Sequence, residues 1–275
     1  MSESLSVASL YAVDFAREHL AGKSIAVLTG AGISTDSGIP DYRGAGKTPK
    51  HPMTFDSFMG SEQARIRYWA RSFVGFSRIA TAMPNAGHFA IAEAEQRGSV
   101  SVVVTQNVDR LHQLAGSKNV IDLHGRLDAV KCMSCSAVIS RQDMDVLLRE
   151  LNPDVQTDES FEFTPDGDAE VEASENFKVP NCVICGGIYK PDVVFFGEAV
   201  PAERAQLALN QVDQADALLV AGTSLQVNSG LRFVKAAKRA NKDIVIVNVG
   251  PTKADEMALV KIEANTSLVL KELLA

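Results

Sequence analysis

Long apolar runs are missing from this sequence: nowhere does it approach the ~20 consecutive apolar residues of a membrane span, so a membrane partner is not expected. Positive charge is also scarce. Lys and Arg number 27 against 34 Asp and Glu, a net charge of −7, whereas a binder of nucleic acid or of an anionic membrane surface relies on a basic patch for affinity. The opening residues have no basic start followed by an apolar core, and Glu3, Asp14 and Glu18 are wrong for an Arg-rich, acid-poor transit peptide. An intracellular, cytoplasmic protein without a cleaved segment is the expectation. Cysteine is confined to four positions, Cys132-x-x-Cys135 and Cys182-x-x-Cys185. Two such knuckles in a chain without a secretion signal read as a closed tetrahedral thiolate zinc site that crosslinks two hairpins. Two unrelated buried or redox pairs are the alternative, although thioredoxin-like chemistry needs only one CxxC at a helix start.

What the chain does have is apolar residues enough for a full core: 46% of its 275 residues are hydrophobic, and the length fits one large domain or one domain with a smaller insertion. Residues 23–43, KSIAVLTGAGISTDSGIPDYR, organise it. The β-branched run Ile25–Thr29 leads into Gly30-Ala31-Gly32, and a small-residue segment reaches Gly38 before Ile39-Pro40-Asp41-Tyr42-Arg43. Strand, glycine turn and polar loop suit a bound pyrophosphate, because glycine lets backbone N–H groups approach phosphate oxygens that a Cβ would keep away. The third glycine comes six residues after Gly32 rather than the three of a GxGxxG fingerprint. The acidic residue expected ~20 positions further on is missing as well, which disfavours an NAD(P) dehydrogenase.

Residues 4–20 carry Leu5, Leu10, Val13, Phe15 and Leu20 at mixed helical spacing and read as a leading helix over a sheet. Pro84 opens a helix through Ile91 and Glu95 that ends near Gly98, with His88 read as a packed or capping residue. Strands are expected at 101–105 (SVVVT), 120–123 (VIDL), 191–196 (PDVVFF), 217–221 (ALLVA) and 244–249 (IVIVNV). Helices are expected at 203–214 and 229–240, with a helical turn at 109–114 and a final helical segment. Short apolar strands alternating with helices imply an α/β fold with a parallel sheet covered on both faces, and such sheets bind ligands beyond their C-terminal strand ends. The residues there are the Gly30 turn, Gln106-Asn107, His124-Gly125, Gly222-Thr223-Ser224 and residues 248–250.

Between these strands lie two segments of different character. Residues 55–79 hold Ile66, Trp69, Phe73 and Phe76 at helical spacing and six of the seventeen aromatics, a helical module. Its aromatics read first as a satellite core and second as an apolar wall for a ligand's tail; Arg65, Arg67, Arg71 and Arg78 read as a solvated face. Residues 150–177 hold ten carboxylates and no Lys or Arg, so removing them from the net −7 leaves +3. That local acidity reads as a solvated loop of the zinc module, with steering of lysine-bearing substrates as the alternative.

GAGIS, SGIPDYR, TQNVDRLH, LHG, both CxxC knuckles, KPDVVFFGE, GTSLQV and NVGPT follow one another across nearly the whole chain. Together they resemble the sirtuins, the NAD-dependent protein deacylases, and RYWARSFVGF and PNAGH look most like the class II branch. The resemblance implies a Rossmann-like parallel-sheet domain made of residues 1–45, 85–130 and 190–275, a helical module with cofactor loop at 46–84, and an inserted zinc-binding module at 131–189. It implies NAD as cofactor, a structural Zn2+ on Cys132, Cys135, Cys182 and Cys185, and acyl-lysine proteins or peptides as substrates.

His124 is implied as the general base and Asn107 as its catalytic companion. The acyl-lysine oxygen attacks C1′ of the nicotinamide ribose and expels nicotinamide, and a base then activates a ribose hydroxyl against the resulting imidate; an imidazole of ordinary pKa near ~6.5 can take that proton at neutral pH. Asn107 and Asp109 look like the residues that hold the nicotinamide ribose and carboxamide, with Gln106 on a ribose hydroxyl. Gly30, Ala31, Gly32, Thr35, Asp41, Tyr42 and Arg43 look like cofactor-loop contacts. Gly222, Thr223 and Ser224 would approach the pyrophosphate, and Asn248 with Gly250 the adenosine ribose. Val194, Phe196 and Val227 resemble the apolar tunnel and peptide-pairing strands. His112 is the rival base, set aside because His124 directly follows a parallel strand while His112 belongs to a helical turn.

Desuccinylase-type sirtuins carry Tyr-x-x-Arg on the small-module helix, and the matching positions here are Ser72 and Gly75; a bulkier neutral acyl group is expected in place of succinyl. A mono-ADP-ribosyltransferase on the same scaffold is the nearest alternative activity, and a non-catalytic NAD sensor, which would need neither His124 nor Asp109, is a third.

Overall fold

Ile25–Thr29 is buried at all five positions, the expected fate of a β-branched run with strands on both edges and helices on both faces. The computed structural model describes residues 4–41, 52–155 and 176–275. In chain order the elements begin with α1 (Val7–Leu20), β1 (Ile25–Thr29), α2 (Phe55–Gly60), α3 (Glu62–Ala80), α4 (Ala86–Gln96) and β2 (Val100–Thr105). They continue with α5 (Leu111–Leu114), β3 (Val120–Asp122), β4 (Gly125–Cys132), β5 (Val138–Ser140), α6 (Arg141–Leu151) and β6 (Tyr189–Val193). The last are α7 (Ala202–Gln214), β7 (Ala217–Ala221), α8 (Asn228–Arg239), β8 (Asp243–Val247), β9 (Val260–Ile262) and α9 (Thr266–Leu273).

Six strands form one sheet in the order β3-β2-β1-β7-β8-β9, and every neighbouring pair is parallel. The winding therefore reverses between β1 and β7, which opens a crevice beyond their C-terminal ends as in doubly wound nucleotide-binding folds. Alternation along the strands divides the core. Val27, Val103, Leu219 and Val245 pack with α1, α4 and α9; Ala26, Leu28, Val102, Val104, Leu218, Val220, Ile244 and Ile246 pack with α7 and α8.

One expected strand belongs elsewhere. Residues 191–196 do not join the parallel sheet: the strand is Tyr189–Val193, and it lies antiparallel to β4 in a second sheet of order β5-β4-β6. Pro191 has no N–H to donate and suits the edge of a small sheet, and an apolar run does not by itself say which sheet it joins. Because this sheet uses both Gly125–Cys132 and Tyr189–Val193, it crosses the boundaries at 130/131 and 189/190 drawn from the sequence. The edge strand Val260–Ile262 was not anticipated either; three residues are too few to show a period.

The aromatics of the helical module are core rather than an open wall. Tyr68, Trp69, Phe73 and Phe76 are buried, Phe58 and Tyr68 pack on Phe195, and the Trp69 indole N–H donates to the Tyr189 carbonyl across 3.3 Å. Arg141, also buried, ties this core to the small sheet. Its guanidinium is ion-paired with Asp145, donates to the carbonyl and hydroxyl of Ser72 and lies 4.3 Å from the centre of the Phe76 ring. Most of the acidic stretch, residues 156–175, lies outside the described residues. Among the described residues no helix is long and apolar enough to cross a membrane.

Candidate active site and metal centre

The loops after β1 and β7 meet backbone to backbone at the reversal point. The Gly30 N–H donates to the Ala221 carbonyl (3.3 Å) and the Gly32 N–H to the Gly222 carbonyl (2.8 Å). No side chain fits between them: a Cβ on Gly222, whose φ is +65°, would lie 2.3 Å from the Ile33 nitrogen, and one on Gly32 would lie 2.9 Å from the Gly222 Cα. Ala31–Ile33 and Thr35–Ser37 then coil as two short 3-10 turns, with the Thr35 hydroxyl on the Gly32 carbonyl. The Asn85 side chain ties the loop down from α4 by donating to the Ile33 carbonyl at 2.7 Å and to the Ser37 hydroxyl at 3.0 Å. Asp41 is the last described residue of this stretch, and Tyr42 and Arg43 lie outside the described residues.

Residues that follow β2 form the floor. The Ser34 hydroxyl donates to Asp109 Oδ2 at 2.7 Å and accepts from Asn107 Nδ2 at 3.0 Å, while Asp109 Oδ1 accepts the Leu111 N–H. Burial pushes the Asp109 carboxyl up, and the Leu111 and Ser34 hydrogen bonds oppose that rise. Gln106 turns toward β7, its amide donating to the Thr223 hydroxyl at 3.2 Å, and Thr223 is itself buried. Ser224, which follows it, accepts the Lys253 N–H on its carbonyl. At the end of β8 the buried Asn248 donates to the carbonyls of Val249 and Gly250. Thus Gly30, Ala31, Gly32, Gln106, Asn107, Asp109, Gly222, Thr223, Ser224, Asn248 and Gly250 all fall at the C-terminal edge of one sheet. Ser34 and Asn85 were missed by sequence reasoning; Ser34 stood within GAGIS as an apparent filler between glycine turn and loop.

His124 follows β3 and begins the small sheet. Its Nδ1 lies 3.0 Å from the Gln106 carbonyl, an acceptor only, so Nδ1 carries the proton and Nε2 the lone pair. Nε2 is 2.8 Å from the Ser229 hydroxyl. Burial outweighs the Gln106 carbonyl and lowers the imidazole pKa to about 4, with the positive charges of Arg204 and Arg232 acting in the same direction. That displacement corresponds to roughly 3 kcal/mol against charging the ring. The ordinary value near ~6.5 assumed from sequence does not hold; the ring is neutral at physiological pH. The His124 carbonyl accepts the Val194 N–H at 2.8 Å, so Val194, just past the end of β6, lies beside His124. Phe196, partly exposed, pairs with Thr54, and Val227 precedes α8.

His112 is held elsewhere. It is buried behind β1, with Nε2 2.9 Å from the Thr29 hydroxyl and its ring edge-on to His88. Burial drives its pKa well below the usual value. His88 caps α4, its Nδ1 accepting the Asn85 N–H. Both are packing histidines.

The four cysteine sulfurs lie within 4.8 Å of one another, with Cys132 Sγ to Cys185 Sγ at 3.5 Å and Cys135 Sγ to Cys182 Sγ at 3.8 Å. A disulfide would need about 2.05 Å, whereas the edge of a tetrahedron with Zn–S bonds of about 2.3 Å is about 3.8 Å. The donor set fits zinc. Four thiolates close the coordination sphere and leave no position for an activated water.

A parallel doubly wound sheet, glycine loops interlocked at its reversal point, and a neutral histidine facing polar side chains define a nucleotide-using enzyme on an α/β scaffold. The Sir2 family model matches residues 30–229, and the chain belongs to that family. It is 51% identical over 262 residues to an NAD-dependent protein deacetylase of Xanthomonas axonopodis pv. citri (strain 306), covering 94% of this chain and 88% of that one. An NAD-dependent protein deacetylase of Bordetella bronchiseptica is 51% identical over 253 residues, covering 90% and 92%. A solved Sir2 complex with a p53 peptide and NAD+ superposes with a TM-score of 0.75 at 30% identity, covering 93% of this chain and 94% of that one.

Two tests follow from this geometry. Gly222→Ala must part the two loops, so NAD affinity measured by titration calorimetry should fall at least about tenfold, and wild-type affinity would contradict the interlock. Cys182→Ala should lose zinc by metal analysis and lower the melting temperature; full zinc content and stability would refute the assigned metal site.

Proposed function

We propose that the protein removes acyl groups from lysine side chains with NAD as co-substrate, releasing nicotinamide and O-acyl-ADP-ribose, and does so in the cytoplasm. NAD brings the electrophilic ribose carbon and the hydroxyls that accept the acyl group. The observation that carries the reading is His124: partly buried, neutral, and fixed in one tautomer beside the Gln106–Asp109 segment. A base confined to one lone pair is what a ribose hydroxyl needs when it must lose its proton to attack an acyl carbon.

In this reading the domains are those drawn from the sequence except at 130/131 and 189/190, where all of β4 and β6 goes with the zinc-binding module, with the large sheet carrying NAD and the small modules closing over the peptide. Gly30, Ala31, Gly32, Gly222, Thr223 and Ser224 present backbone and hydroxyl groups to the pyrophosphate. Thr35, Asp41, Tyr42 and Arg43 contact NAD from the cofactor loop, Tyr42 at the sugar and Arg43 at phosphate or ribose oxygens, and Asn248 with Gly250 bind the adenosine ribose. Asn107 and Asp109, pre-oriented by Ser34, hold the nicotinamide ribose and carboxamide, and Gln106 meets a ribose hydroxyl. Val194, Phe196 and Val227 line the lysine tunnel and offer strand edges to an extended peptide. Zinc on Cys132, Cys135, Cys182 and Cys185 holds the small sheet together and takes no part in the chemistry. Ser72 and Gly75, standing where desuccinylase-type sirtuins carry Tyr-x-x-Arg, support a neutral acyl group over succinyl.

The pH dependence follows from the lowered pKa of His124. The proton-accepting form persists until pH falls toward about 4, so kcat/KM should be nearly level from pH 7 to 5.5, whereas a base of ordinary pKa would lose about eightfold over that interval. His124→Ala should abolish acyl transfer. An acid limb centred at or above pH 6.5 would contradict the assignment of this partly buried imidazole as the base.

A further inference from the structure

The serine that meets His124 comes from α8, in the segment VNSG that follows GTSLQ. Ser229 does not cap that helix: its N-cap residue, Val227, makes no side-chain capping bond. Instead its hydroxyl lies 2.8 Å from Nε2, the single basic nitrogen of His124. The next residue makes this approach possible. A Cβ on Gly230 would lie 2.6 Å from Gln106 Nε2, so a larger residue there would push the Gln106 side chain aside, whereas glycine leaves it in place as the first turn of α8 nears the segment that fixes Nδ1. The two ring nitrogens of His124 are thus gripped from opposite sides, by the Gln106 carbonyl and by Ser229.

The charge around the ring gives this grip a purpose. Arg204 on α7 and Arg232 on α8 both oppose a positive charge on His124, and among the described residues no carboxylate is bonded to it. An imidazolium formed during the reaction therefore has only the Gln106 carbonyl on Nδ1 and whatever accepts a hydrogen bond at Nε2. A serine hydroxyl can do that, because the same oxygen donates or accepts according to its rotation.

We propose that Ser229 is a positioning residue for the base: it donates its O–H to Nε2 in the resting enzyme, turns that O–H away when the ribose hydroxyl takes the Nε2 lone pair, and accepts the Nε2–H once His124 has taken the proton and the ribose oxygen has bonded to the acyl carbon. No bond to Ser229 is made or broken; its hydroxyl rotates, and it returns to the resting arrangement when the imidazolium gives up its proton. The hydrogen bond to the charged ring is the stronger of the two, so the serine raises the proton affinity of a base that burial and two arginines depress. The proposal rests on His124 being the base.

The test joins a ligand-free readout to a kinetic one. Side-chain nitrogen resonances of His124 are recorded in the free protein for wild type, Ser229→Ala and Ser229→Thr. Nicotinamide exchange, which precedes the step needing the base, is then compared with net acyl transfer from an acetyl-lysine peptide. In Ser229→Ala, Nε2 should take the shift of a pyridine-type nitrogen without a donor, and the acid limb of kcat/KM should move to lower pH. Acyl transfer should fall about tenfold more than exchange, the worth of one charge-assisted hydrogen bond, and Ser229→Thr should restore most of the difference. An Nε2 resonance unchanged from wild type, or equal losses in both stages accompanied by a lower melting temperature, would overturn the proposal. His124→Ala separates the two readings: if it retains acyl transfer the base assignment itself is wrong, whereas a failure confined to Ser229→Ala leaves the base standing.

Discussion

The contact between the Gly30–Gly32 turn and Gly222 is the constraint on which the rest of the site depends. Two loops that leave neighbouring parallel strands at the winding reversal approach until backbone touches backbone, at 2.8 Å from the Gly32 N–H to the Gly222 carbonyl. This brings the β1 turn, Thr223 and Gln106 to one crevice, and from Gln106 the carbonyl sets the tautomer of His124. A side chain at Gly222 would displace not one contact but the common reference of all three.

The small modules depend on a different interaction. The antiparallel sheet has three strands, and a core that small is weak alone. It is stabilised from one side by the packing of Trp69 and Arg141 against the helical module and from the other by four sulfurs at tetrahedral spacing. The same sheet begins at His124-Gly125, so Cys132 of the sulfur cluster and His124, the proposed base, lie at opposite ends of one strand.

The central sheet was legible because its strands are continuous apolar runs between glycines, and the polar residues after each strand could be read off directly. The cysteine cluster was legible from spacing alone. PDVVFF was misassigned because a buried strand in either sheet shows the same apolar run, and only its partner, the β4 strand begun by His124-Gly125, decides between them. The protonation of His124 was not legible either, since its pKa is set by burial and by arginines roughly eighty and more than one hundred residues downstream. Ser34 and Ser229 escaped for a similar reason: each is a small polar residue whose partner, Asp109 or His124, is distant in sequence.

The most direct test of the account is product analysis by mass spectrometry after incubating the protein with NAD and an acetyl-lysine peptide. The account predicts free lysine peptide, nicotinamide and acetyl-ADP-ribose in equal amounts. Acetate released with NAD left intact, or ADP-ribose attached to protein in place of acetyl-ADP-ribose, would contradict it.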